Sequence, residues 1–199
     1  MYGATLTTDR FGHERRAYSF PDNPNYIDIG DTGDGVSALS ISLWMRPAIK
    51  GGYRSLVTKY DGSDVLRKSF AAQIIPSGEL QLVVYTPAET DWHEFTTSAF
   101  DYALDTWYHV ALVYASPNAL VYIDGNVWGF SETDGFGAYG EIRDTDTPCE
   151  IGDTYDALLA APTPDHTNFY HGDLDDIRIY TRALSQDEIV ALYQEGDPG

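Results

Sequence analysis

The sequence predicts an all-β fold, two antiparallel sheets packed face to face as a sandwich with one short C-terminal helix, and three observations carry that reading. Short apolar or alternating runs recur along the chain, separated by Gly, Pro, Asp and Asn. Helical periodicity is almost absent and is convincing only over residues 186–194. With 199 residues, 43% of them apolar and 14% aromatic, the chain suffices for one β domain. A chain of this length buries roughly 70% of its unfolded surface and needs no disulfide staple. We therefore expect a single domain over residues 1–199, without internal repeat or linker.

Taken in order, residues 26–29, 39–45, 54–59, 70–75, 80–85, 93–97, 107–114, 120–123, 127–130, 150–151 and 173–180 are the expected strands. In the run from Leu39 to Met45 the alternation puts Leu39, Ile41, Leu43 and Met45 on one side and the serines on the other, the pattern of a half-exposed sheet. Residues 107–114 are apolar on both faces, as in a strand buried between layers. Asp124-Gly125 is the expected two-residue hairpin turn, because both residue types tolerate positive φ. The Gly-rich stretch 133–140 and the region of Pro162 and Pro164 read as long loops. Ser185 is the expected N-cap of the helix, Glu188 completes a capping box, Leu184 staples against Ile189, and Gly196 follows the end.

The run Phe169-Tyr170-His171-Gly172-Asp173-Leu174-Asp175-Asp176-Ile177-Arg178-Ile179-Tyr180 leads directly into Ala183-Leu184-Ser185-Gln186-Asp187-Glu188-Ile189. Upstream stand Trp107-Tyr108-His109-Val110-Ala111-Leu112-Val113-Tyr114 followed by Leu120-Val121-Tyr122-Ile123-Asp124-Gly125-Asn126, and before them Leu6-Thr7-Thr8-Asp9-Arg10-Phe11-Gly12 and Ala17-Tyr18-Ser19-Phe20-Pro21-Asp22. These segments resemble the closing motif, central hairpin and opening segment of the laminin-G-like and pentraxin-like branch of the concanavalin-A-like jelly rolls. The resemblance spans roughly residues 6 to 196 and implies a jelly-roll sandwich serving as an extracellular recognition module. Such domains usually carry one more strand before the Asp9-to-Gly12 segment. Only residues 1–4 remain for it, so the chain is expected either to be excised from something longer or to lack that strand.

Charge narrows the partners. Twelve basic against 31 acidic residues give a net charge of −19, a surface that repels phosphate backbones and anionic lipid and attracts cations. No run of 18 apolar residues is present, so no transmembrane helix is expected, and no signal peptide opens the chain. The single cysteine, Cys149, excludes an internal disulfide and is expected to be buried and inert.

Catalysis finds little support. The resemblance extends to jelly-roll glucanases, which place a carboxylate pair on one strand in a Glu-x-Asp-x-x-Glu pattern, and nothing here matches it. There is no nucleophile elbow and no His-Glu-x-x-His helix. His109 reads as a sheet residue, and His93, His166 and His171 lack metal-binding spacing.

Calcium fits the acidic composition better, since hard cations take carboxylate and carbonyl oxygens. Two candidate clusters stand out. Asp22 and one of Asp175 or Asp176 would meet if the first and last strands are neighbours, as they are in the resembling jelly rolls. Consecutive strand residues face opposite ways, so at most one of the two aims inward, with Arg178 as the rival partner for its charge. The second cluster joins Asp61 and Asp64 to Asp153 and Asp156, at places where pentraxin-like relatives hold calcium; turn chemistry accounts for these residues equally well.

Carbohydrate recognition needs an aromatic platform and planar polar groups. Tyr85, Trp92 and His93 cluster around a loop that also holds Glu89, Thr90, Asp91 and Glu94, and Trp44 offers a second surface. Packing is the competing role for each ring. The sequence thus predicts a non-catalytic, secreted or cell-surface binding module, for carbohydrate with structural calcium, as part of a larger multidomain protein. The alternative is a protein-interaction or architectural adhesion module. Nucleic acid and membrane insertion are not expected.

Overall fold

The computed structural model describes residues 1–21, 25–61, 64–88, 91–98, 100–154 and 168–197. In chain order the strands are β1 (Thr5–Thr7), β2 (Ala17–Phe20), β3 (Ile27–Asp28), β4 (Ala38–Pro47), β5 (Arg54–Tyr60), β6 (Lys68–Ile74), β7 (Leu80–Tyr85), β8 (Trp92–Thr97), β9 (Tyr108–Ala115), β10 (Asn118–Ile123), β11 (Asn126–Trp128), β12 (Phe130–Phe136), β13 (Glu150–Ile151) and β14 (Gly172–Tyr180), followed by helix α1 (Gln186–Tyr193). They make two antiparallel sheets of seven strands. The first runs β1-β2-β14-β4-β9-β10-β11 and the second β12-β8-β7-β6-β5-β13-β3. This is the expected sandwich.

Period-two alternation builds the core. Leu39, Ile41, Leu43 and Met45 of β4 and Val110, Leu112 and Tyr114 of β9 pack with Phe70, Ala72 and Ile74 of β6 and Leu80, Leu82 and Val84 of β7 in one buried cluster. Cys149 joins it, and burial pushes its thiol up to about 12, which keeps it inert. The closing strand β14 lies between β2 and β4, so the two ends of the chain are neighbours as expected. Asp124 and Gly125 supply the positive φ angles of the β10–β11 turn. At Gly152, φ is +87° and a Cβ would lie 2.5 Å from the Phe20 ring, so only glycine lets β13 leave the sheet there.

Two expectations need correcting. The serine face of β4 is not half-exposed. The Ser40 hydroxyl donates to the Arg182 carbonyl (2.8 Å) and accepts from the Leu184 amide (2.9 Å), and Ser42 bonds the His109 ring (2.9 Å). Beside them Leu184 and Ile189 form a small second core with Ala111, Val113 and Tyr122, so α1 covers the outer face of the first sheet. Alternation shows that the two faces differ; it does not show that the polar one is wet. Residues 130–136, expected to be partly loop, form β12, which pairs with β8 in the opposite sheet from β11. As an exposed edge strand rich in polar residues, it shows no apolar alternation by which to recognise it.

The helix follows its capping signals. The Ser185 side chain accepts from the Glu188 amide and the Glu188 carboxylate accepts from the Ser185 amide (2.8 Å). Its last residue is Tyr193 with Gln194 as C-cap, before Gly196 is reached.

Candidate functional site

The first sheet's outer face is covered by the helix, whereas the second sheet's outer face carries a groove of about 270 Å³. Strand register determines what lines it. Gln73 of β6 lies directly opposite Gln81 of β7, which lies opposite Thr96 of β8; likewise Val83 opposes Glu94, and Tyr85 opposes Trp92. Because alternate residues share a face, Gln81, Val83 and Tyr85 project outward while Leu80, Leu82 and Val84 fill the core.

Two chemistries meet in this groove. The first is a polar ladder: the Gln73 amide donates to the Gln81 carbonyl oxygen (2.7 Å), and the Gln81 amide reaches Glu94 (3.2 Å) and Thr96 (3.4 Å). The second is aromatic. The rings of Tyr60 and Tyr85 stand 5.8 Å apart at 59°. Lys68 places its ammonium 4.6 Å from the Tyr60 ring and 5.8 Å from the Tyr85 ring. Behind Tyr85, the Arg143 amide donates to the Tyr85 carbonyl (2.7 Å) and its guanidinium to the Thr86 carbonyl (3.0 Å). Both rings are thus held in place before any ligand arrives. Tyr53, Thr154 and Asn168 complete one wall. Burial, and then the neighbouring Asp134, push the Glu94 carboxyl up.

The four aromatic candidates from the sequence separate. Tyr85 lines the groove, and Trp92 is half-buried on the same face just beyond it. His93 is buried on the other side of β8, with Nδ1 2.6 Å from Glu132 and its ring stacked 4.0 Å from Tyr139. Trp44 belongs to the opposite sheet, where Tyr193 stacks on it at 5.8 Å and the Arg10 guanidinium lies 4.8 Å from its ring. Gln73, Gln81 and Tyr53 were not singled out from the sequence. The signal that finds them is the alternation of β6 and β7, read for its outward residues.

The acidic candidates divide similarly. Asp22 and Asp156 lie outside the described residues. Asp175 points to the first sheet's outer face and not into the sandwich; its charge is met by Arg10 at 3.0 Å, both side chains being buried. A bulge with φ +45° at Asp176 turns that carboxylate onto the same guanidinium. Arg178, the rival expected from sequence, pairs with Asp176 at 3.7 Å and more closely with Glu195 at 2.6 Å. In the second cluster Asp61 faces Arg67 (3.3 Å), and Asp64 accepts from the Leu66 amide (2.9 Å) as the cap of a short 3-10 turn, Val65–Arg67. Asp153 differs from these. It is buried, its Oδ1 has no hydrogen-bond partner, and burial pushes its carboxyl up to about 7. Among the described residues, no group of three His, Cys, Asp or Glu side chains is arranged to hold a metal ion. Arg10 thus meets the Asp175 charge, and Asp153 is the candidate with an unpartnered buried oxygen.

A sandwich with one face sealed by a helix and the other open as a polar, aromatic groove defines a class of binding domain. The Laminin_G_3 family model, of the concanavalin A-like lectin/glucanase superfamily, matches residues 21–190, and the chain belongs to that family. No curated protein matches it in sequence. Among solved structures it is similar to a heptameric SAP-like pentraxin of Limulus polyphemus (19% identity, TM-score 0.60, covering 88% of this chain and 80% of that one). It is also similar to a Bacteroides ovatus protein named as carbohydrate-binding (17%, TM-score 0.66, 92% of this chain and 48% of that one). A third is the CBM40 of a Ruminococcus gnavus IT-sialidase bound to α2,3-sialyllactose (16%, TM-score 0.59, 85% and 96%). At these identities the likeness establishes the fold. No helix among the described residues is long and apolar enough to cross a membrane.

Proposed function

We propose that this protein is a non-catalytic glycan-binding module of a secreted or cell-surface multidomain protein, and that the groove of Tyr60, Tyr85, Gln73, Gln81 and Glu94 is its sugar site. One observation carries the proposal: paired tyrosine rings stand beside a ladder of planar amides and a carboxylate in a groove on the second sheet's outer face. A pyranose ring offers apolar C–H faces for the phenols, and hydroxyls that both donate to and accept from amides. The ladder's own hydrogen bonds fix these groups in advance, so little side-chain freedom is lost on binding. Relatives in fold named as carbohydrate-binding and as bound to sialyllactose agree with this choice.

Hydrolysis needs two carboxylates flanking the scissile bond. Glu94 is the one carboxylate among the described lining residues, and it is engaged by Gln81. An architectural spacer would have this face filled by its own side chains; the groove of about 270 Å³ among the described residues favours a binding role instead. Calcium belongs to the proposal as well, with Asp153, whose buried Oδ1 has no hydrogen-bond partner, as the candidate ligand best fitted to it.

The test is a glycan array, followed by titration of the best oligosaccharide against wild type and Tyr60→Ala. We expect Tyr60→Ala to weaken binding by about 1–3 kcal/mol, the scale of losing one large aromatic contact. Absence of any glycan ligand, or unchanged affinity in the folded variant, would remove the groove from consideration and favour a protein-interaction role.

A further inference from the structure

Strand register lays one row of side chains across the whole second sheet. Ala71 of β6 and Val83 of β7 lie opposite each other as the short, uncharged floor of the groove. Beyond Val83 the row continues to Glu94 of β8 and Asp134 of β12. Beyond Ala71 it passes Thr58 of β5 and reaches Glu150 of β13 and Asp28 of β3. Residues so opposed share a face, with Cβ atoms about 4.5–5.5 Å apart, and like charges in such a pair repel. The floor is therefore flanked at either end by a pair of carboxyl groups. Both ends already resist negative charge: burial and then Asp134 push the Glu94 carboxyl up, and burial, followed by Asp153 and Asp28, pushes that of Glu150 up to about 8.

No cation offsets these charges inside the groove. All twelve Lys and Arg residues are among the described residues, and none of them lines it. Those of the neighbouring segments are committed elsewhere: Lys68 to the faces of Tyr60 and Tyr85, Arg54 to the Phe169 carbonyl at 3.3 Å, and Arg143 to the Thr86 carbonyl at 3.0 Å. Holding a sugar carboxylate or sulfate takes a guanidinium fork or an ammonium against the anion. The groove presents amides, hydroxyls and phenols instead, which suit sugar hydroxyls. We infer that the groove selects uncharged glycans and rejects those bearing carboxylate or sulfate, with Glu94 as the residue that enforces the choice. The inference rests on the groove being the sugar site. It falls to Glu94 because Glu94 lines the groove, whereas Glu150 does not. A ligand anion drawn to the Gln81 amide would meet the Glu94 oxygen already bonded to it at 3.2 Å. Two like charges a few ångströms apart at a protein surface cost about tenfold in affinity. The net charge of −19 adds repulsion at longer range.

The experiment presents the whole chain with matched pairs of glycans: neutral oligosaccharides beside their counterparts oxidised at C6 to the uronate, and lactose beside sialyllactose. The neutral glycan that binds most tightly and its acidic counterpart are then titrated at low and at high salt. In wild type the acidic member should bind about tenfold more weakly, and the gap should narrow in high salt, where charges are screened. Glu94→Gln keeps an acceptor towards Gln81 and should close most of the gap. Asp134→Asn, outside the groove lining, should narrow it. The ratio of the two affinities is the readout, so a general weakening caused by either substitution cancels. Acidic glycans that bind wild type as tightly as their neutral partners, and lose affinity in Tyr60→Ala, would overturn the inference and keep the groove as the sugar site. A gap that Glu94→Gln leaves unchanged would likewise overturn it, and failure of every glycan to bind would overturn both readings.

Discussion

The His109 ring is packed between Trp44 and Tyr193, with Nε2 2.9 Å from the Ser42 hydroxyl. Burial first, and then the Arg10 and Arg178 guanidinium groups, lower its pKa to about 4 against the opposing pull of Asp176. Between that value and the ordinary one of about 6.5, the unfolded chain binds a proton that the native state refuses. Stability is therefore complete above about pH 6.5, falls as pH drops toward 4, and the full loss is about 3 kcal/mol. Urea unfolding of wild type and His109→Gln at pH 7 and pH 5 checks this: the variant should lose distinctly less stability between the two, and equal losses would contradict it. Trp92, half-buried beside Tyr85, extends the aromatic surface past the groove. Trp92→Ala should weaken an oligosaccharide long enough to pass Tyr85 by about 1–3 kcal/mol. It should cost less stability than the roughly 3–5 kcal/mol of emptying a full core site. Equal affinity for long and short oligosaccharides in both proteins would remove Trp92 from the site. At this scale the sequence showed that Asp175 needed a partner but could not show which, because Arg10 is 165 residues away. Gln73 and Gln81 were equally illegible. A glutamine on a strand is an ordinary solvent-facing residue until the register places another amide against it.

Among the elements, α1 owes its start to its cap and its place to the face it covers. Ser185→Ala removes the hydroxyl that accepts from the Glu188 amide, and should cost about 0.5–2 kcal/mol, read from the urea midpoint. An unchanged midpoint would mean that packing of Leu184 and Ile189 alone holds the helix. β4 was legible from its alternation, because the period of two is imposed by a buried face, and β9 from its continuous apolar run, as in a strand buried between layers. β12 was not, because its sheet neighbour is β8 alone and its outward residues are polar. Nor did the alternation of β4 reveal that Ser40 and Ser42 would be sealed by the segment 182–189, since it records polarity and not what lies above it.

At the scale of the whole molecule, the two sheets have unequal outer faces. One is sealed by α1, by Arg10 on Trp44 and by the C-terminal aromatic Tyr193; the other carries a groove with its amide ladder. Family and fold were readable from the closing motif and hairpin, whose residues are contiguous in sequence. The groove was readable only in part, because its lining comes from strands β5 to β8 together with Tyr53, Thr154 and Asn168, which are scattered along the chain. The proposed glycan site is the groove on the second sheet's outer face. The measurement that tests it most directly is the ¹H–¹⁵N spectrum of the protein during titration with the oligosaccharide selected by the array, followed at the side-chain amides of Gln73 and Gln81. The account predicts that these two amide signals shift and saturate together with the binding isotherm. Saturable binding that leaves both signals in place and moves residues around Trp44 and Tyr193 would contradict it.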